Sequence, residues 1–167
     1  DGMQVEMQMP GYPHRLSAAL EDGRLVGHIA FMRPGGRTTE VRLVAQRDQP
    51  WRFFPPGGEE PEDFSGRWAL TFTSPDSGVQ RAAVAELEQR GREVTGTVLR
   101  STGDDRYLAG EVRGNMLMLS RFDGGSAFLY VARLDDSGRL RGEFRSGSWG
   151  HQRLEGVRDA SAALAAD

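Results

Sequence analysis

The sequence has no cysteine, which excludes thiol catalysis, disulfides and thiolate-held metals within this chain. The same absence leaves the redox compartment open. Lysine is missing too: all 21 basic residues are arginine, a bias we read as codon usage in a GC-rich genome. No apolar run approaches the ~20 residues a bilayer-crossing helix needs, and nothing reads as a signal peptide. The net charge of −3 is built from both signs spread evenly, so no basic face points to nucleic acid and no polybasic patch to a membrane. His14, His28 and His151 lack metal-ligand spacing. No serine sits in a nucleophile elbow. The acid pairs Glu59-Glu60, Asp104-Asp105 and Asp135-Asp136 are adjacent in turns, unlike the opposed pair of a glycosidase. The expectation is therefore a chain with no catalytic residues, no metal and no cofactor.

What the sequence does contain is turns at short spacing. Glu21-Asp22-Gly23, Pro34-Gly35-Gly36, Pro75-Asp76-Ser77-Gly78, Arg90-Gly91-Arg92, Arg113-Gly114-Asn115 and Asp135-Asp136-Ser137-Gly138 punctuate short apolar segments. Between them the period is two: Ala83, Ala85 and Leu87 share one face. Val94 to Leu99 is rich in β-branched residues, as strands prefer. Met116 to Leu119 and Phe128 to Val131 are continuously apolar, fitting strands that line a barrel or are buried on both sides. A stretch also recurs. Met3 to Gly27 and Met116 to Gly142 both open on an alternating Met-rich segment, pass a Pro- or Gly-containing turn and close on an acidic turn followed by Gly-Arg-Leu-x-Gly.

These patterns predict an all-β, antiparallel barrel of roughly ten or more short strands with an internal duplication. We expect one β-barrel domain over residues 1–158. It comprises a partial repeat (1–47), a Pro/Gly-rich connector (48–63) and a full repeat (64–158). Residues 159–167 read as a linker or short helix. The abrupt start within strand-like sequence suggests a mature or excised piece of a longer protein.

Gly66-Arg67-Trp68 opens the full repeat. A Gly-x-Trp at the start of the first barrel strand resembles the signature of lipocalins and their calycin relatives. The resemblance implies that Trp68 plugs one barrel end under an arginine from the last strand, Arg153 or Arg158, as a cation–π pair.

A more extended likeness rests on Thr102-Gly103-Asp104-Asp105-Arg106-Tyr107-Leu108-Ala109-Gly110 and Arg121-Phe122-Asp123-Gly124-Gly125-Ser126-Ala127-Phe128-Leu129. Val94-Thr95-Gly96-Thr97 lies upstream and Gly142-Glu143-Phe144-Arg145-Ser146-Gly147 downstream, with Met9-Pro10 and Arg52-Phe53 further back. Together they resemble the domain that precedes the thioredoxin module in TlpA/ResA-like exported thiol–disulfide oxidoreductases. The chain departs from that pattern at Asp105, where an aromatic is usual, and at Gly125-Ser126, where Ser-His is usual. The resemblance implies a non-catalytic accessory β-domain of a periplasmic or exported redox protein, tethered to a membrane, if at all, through the parent protein. Its partner would be a C-terminal thioredoxin-fold domain outside this sequence.

Candidate ligand or partner contacts are Arg106, Tyr107, Phe122, Asp123, Tyr130 and Trp149. Arg106 follows a Gly-Asp-Asp turn whose carboxylates it can bond, and Tyr107 and Leu108 are expected to enter a strand on opposite faces. Asp123 is placed to accept N–H bonds from the residues after it. Two further readings stand beside the accessory domain: a lipocalin- or avidin-like binder of a small apolar ligand, and an enzyme with a site the sequence does not reveal. In the binder, Met3, Met7, Met116, Met118, Phe128 and Tyr130 would line the interior. Interior volume separates scaffold from binder.

Overall fold

A computed structural model describes residues 3–32, 35–147 and 150–165. Among them are thirteen strands and no helix. The tail is a turn at Asp159–Ser161, capped by the Asp159 carboxylate accepting the Ser161 N–H at 2.8 Å, followed by irregular chain. The all-β antiparallel expectation holds. The strands divide between two compact units, residues 1–50 with 122–126 and residues 51–121 with 127–167.

The first unit is a four-stranded antiparallel meander: β1 (Gln4–Gln8), β2 (Arg15–Glu21), β3 (Arg24–Met32) and β4 (Thr38–Gln46), in that spatial order. Asp22 and Gly23, both at positive φ, form the tight β2–β3 turn. The partial repeat of the sequence is therefore a separate sheet, whose strands pair among themselves.

The second unit is a closed eight-stranded barrel. It is formed by β5 (Gly66–Thr73), β6 (Gln80–Arg90), β7 (Glu93–Arg100), β9 (Leu108–Arg113), β10 (Met116–Phe122), β11 (Ala127–Leu134), β12 (Leu140–Ser146) and β13 (Gly150–Arg158), with a two-residue β8 (Gly103–Asp104) added beside β7. Each barrel strand pairs with its chain neighbours, and β13 closes on β5 with Arg158 opposite Trp68. Period-two alternation sends one face of every strand inward, and closure leaves no exposed edge among these eight.

The inward set is the core: Trp68, Leu70 and Phe72 on β5, Ala83, Ala85 and Leu87 on β6, Leu117 and Leu119 on β10, Tyr130, Ala132 and Leu134 on β11. Two expected lining residues, Met116 and Met118, alternate with Leu117 and Leu119 and so stand on the outer face, half-buried. Met3 and Met7 belong to the other unit and are exposed. The Met-rich lining is thus replaced by leucines one register away; the continuous apolar run hid which parity faced in.

The segment 51–64 runs along the barrel as a strap. The carboxylate of Glu111, on β9, accepts three successive backbone N–H bonds from Arg52, Phe53 and Phe54 at 2.6, 2.9 and 2.7 Å. Arg92 donates to the carbonyls of Gly57 and Pro55, and the Arg113 guanidinium lies 4.6 Å from the Phe54 ring. Burial pushes the Glu111 carboxyl up, but the N–H bonds and the Arg92 charge outweigh it, and the net shift is below its ordinary 4.5. A carboxylate whose pKa is lower folded than unfolded stabilises above the unfolded value and loses that contribution as pH falls through the folded one. Glu111→Gln is therefore expected to cost about 2 kcal/mol at neutral pH. The difference in urea midpoint between variant and wild type should shrink as pH falls below 4.5. A pH-independent difference would remove Glu111 as the strap's anchor.

Candidate functional site

The two barrel ends are built differently. At the end where β5 begins and β13 finishes, Trp68 is 1% exposed and donates its indole N–H to the Phe64 carbonyl at 3.0 Å. Arg158, the last residue of β13, lies with its guanidinium 4.6 Å from the indole. The same guanidinium donates to the Ser65 and Asp63 carbonyls, and Asp63 stands 3.6 Å away as its counter-ion. The Ser65 hydroxyl and N–H, and the Arg158 charge, hold the Asp63 carboxyl below its ordinary range. The arginine expected over the tryptophan is thus Arg158, while Arg153 pairs opposite Thr73 toward the other end of the sheet.

The other end is a polar mouth over an aromatic floor. Arg100 is the last residue of β7 and shares the inward parity of Val94 and Val98. Its guanidinium is 4.0 Å from the Phe72 ring and 4.4 Å from the Phe144 ring. It donates through Nε to Asp105 at 3.1 Å and through Nη2 to the Tyr130 hydroxyl at 2.9 Å. The Tyr130 hydroxyl in turn donates to Asp105. Burial, ahead of the opposing Arg100 charge, raises the Tyr130 phenol well above its ordinary range, so it acts as a neutral donor. Asp105 arrives from the loop after β8, where its backbone N–H bonds the Val98 carbonyl at 2.9 Å. Phe128 packs against this core, and Arg121 lies 5.5 Å from its ring.

Between plug and mouth, Trp68, Leu70, Ala85, Leu87, Val98 and Leu117 are among the side chains around a cavity of about 20 Å³. That is space for one water at most, and the walls offer it no polar partners apart from the Tyr130 side chain. Between plug and mouth the described residues fill the barrel with their own side chains.

Of the sequence-selected residues, Tyr130 lies in the mouth network. Arg106 pairs with Asp104, through Nε at 2.7 and 2.9 Å, on the loop outside it. Tyr107 does not enter a strand: it sits in the turn at φ 58°, 85% exposed, and β9 starts at Leu108. Gly103 and Asp104, expected in a turn, instead pair with Arg100 and Leu99 as β8, and the turn falls at Arg106-Tyr107. Asp123 caps its turn as expected, accepting the N–H groups of Gly125 and Ser126 at 2.9 and 2.7 Å. It and the exposed Phe122 belong to the first unit. Trp149 lies outside the described residues. Arg100 is the mouth residue the motif reading does not reach, although its parity with Val94 and Val98 and the acid five residues later signal it. Among the described residues no cluster of three or more His, Cys, Asp or Glu is arranged to hold a metal.

No protein-family model matches the chain, and no curated protein matches it either.

Proposed function

We propose that this chain is a non-catalytic accessory β-barrel domain of an exported thiol–disulfide oxidoreductase, which holds or orients a thioredoxin-fold module lying outside this sequence. The observation that supports the scaffold reading is the packing among the described residues between the tryptophan plug and the arginine-bridged mouth, where a cavity of only about 20 Å³ remains. An apolar-ligand barrel needs an open interior of several hundred Å³. The lipocalin-like binder keeps in its favour the up-and-down eight-strand order and the Trp68–Arg158 pair, which are also what a plain scaffold of this shape needs. The redox setting rests on the sequence likeness around Thr102–Gly110 and Arg121–Leu129. In the intact parent protein, removal of residues 1–158 is expected to leave dithiol reactivity in an insulin-reduction assay within about twofold, ~0.4 kcal/mol at RT ≈ 0.59. Thermal stability or choice of protein substrate should change instead. Loss of the intrinsic dithiol reactivity on deletion would refute an accessory role.

A further inference from the structure

We infer that the first unit is half a barrel and that a second copy of the same sheet covers its open face. The inference starts from the repeat. In the barrel, β11 and β12 pair Leu134 with Leu140, Ala132 with Gly142 and Tyr130 with Phe144, all pointing inward. In the first unit, β2 and β3 pair Leu20 with Leu25, Ala18 with Gly27 and Leu16 with Ile29. The match extends to the glycine. A Cβ on Gly142 would strike the Val131 carbonyl and Ala132, and a Cβ on Gly27 would strike the Ser17 carbonyl and Ala18. The barrel also makes this close strand approach at Gly96 and Gly110, but at Gly27 and Gly142 it falls in the same residue pattern, opposite an alanine two residues from the hairpin's leucine.

What differs is the covering. Leu134 is 7% exposed in the closed barrel, whereas its counterpart Leu20 is 44% exposed. Register carries this apolar face across all four strands. Met7 stands opposite Leu16 on β1, and Val41 opposite Ile29 on β4. The other face holds the charged and polar Gln4, Glu6, Arg15, Glu21, Glu40 and Arg42, with Val26, Met32 and Val44 among them. One end of the apolar face is closed within the unit. There His14 is buried between Tyr12 and Phe31, its Nδ1 accepting the Met32 N–H at 3.2 Å, and Phe31 meets Phe122 edge-on. Along the rest Met3, Met7, Leu20 and Val41 are exposed while Leu16, Leu25 and Ile29 are half-buried, and a four-stranded sheet with an incompletely covered apolar face is the arrangement that seeks a second layer.

A second copy fits by strand count, direction and charge. Two four-stranded meanders related by a two-fold across the strands give eight strands, antiparallel at both seams, as in the barrel next to them in sequence. The seam between the β4 strands has a self-complementary register. A two-fold through Val41 sets Glu40 opposite the second copy's Arg42, and Arg42 opposite its Glu40, so both ion pairs form at once. Charges on a free edge usually deter pairing; in this register they attract.

Sedimentation velocity on the full chain at micromolar concentration tests this. The expected species is a dimer of 18.4 kDa chains. Glu40→Arg and Arg42→Glu each place like charges at both positions of the seam and should give monomers, while the double swap should restore the dimer. Glu40 also lies 3.8 Å from His28, on the exposed polar face, so near-UV circular dichroism on each variant checks that the fold survives. A monomeric wild type would overturn the proposal and assign the face to other strands. Dimers that persist in both single variants would overturn the seam, and a double swap that stays monomeric would do the same.

Discussion

Trp68→Ala is expected to lower barrel stability by about 3–5 kcal/mol, the cost of truncating a fully buried tryptophan. The indole does three things at once. It fills the end of the barrel, satisfies the Phe64 carbonyl and provides the surface on which Arg158 lies. Arg158→Ala should cost less, about 1–2 kcal/mol, because it loses the ring contact and two carbonyl bonds at a partly exposed site while the indole stays in place. Urea unfolding of both variants checks the order. If Arg158→Ala proved the costlier change, the plug would be held mainly by the arginine and its carbonyl bonds, contrary to the packing account.

The second large effect concerns the mouth. Asp105→Ala leaves the Arg100 guanidinium in an enclosed aromatic setting with its counter-ion gone. The expected loss is about 3 kcal/mol, the range for breaking a buried pair from one side. Replacing the whole polar set at once is different. The triple variant Arg100→Met, Asp105→Leu, Tyr130→Phe removes the charge, the counter-ion and the hydroxyl together, so no group is left desolvated without a partner. It should lie within about 1 kcal/mol of the wild type. The comparison is read from denaturant midpoints. A triple variant as unstable as Asp105→Ala would mean that the network supplies net stability, beyond holding one geometry at the mouth.

The parts of the fold readable from sequence were those set by local chemistry. Turn residues and period-two alternation mark most of the strands, and Asp123 announces its own turn, because both depend on neighbours in the chain. Gly66-Arg67-Trp68 pointed to a plug, and the plug is present. Parity was harder. In Met116-Leu117-Met118-Leu119 every residue is apolar, so nothing local says that the leucines face in; the closing of the barrel decides it. Arg100 and Asp105 are not legible as a pair, because each looks solvated alone and only closure brings a strand end, a loop and β11 onto one guanidinium. The partition of the repeat is a long-range property too. Residues 3–27 resemble 116–142 and form the same hairpins, but which strands surround them depends on pairing that the local pattern does not encode.

The most direct test of the accessory-domain account is to read the source gene beyond the codon for Asp167. The account predicts an in-frame continuation with a β-α pattern and a Cys-x-x-Cys. A stop codon at that point would contradict it, and the barrel would have to be explained as a protein acting without a thioredoxin module.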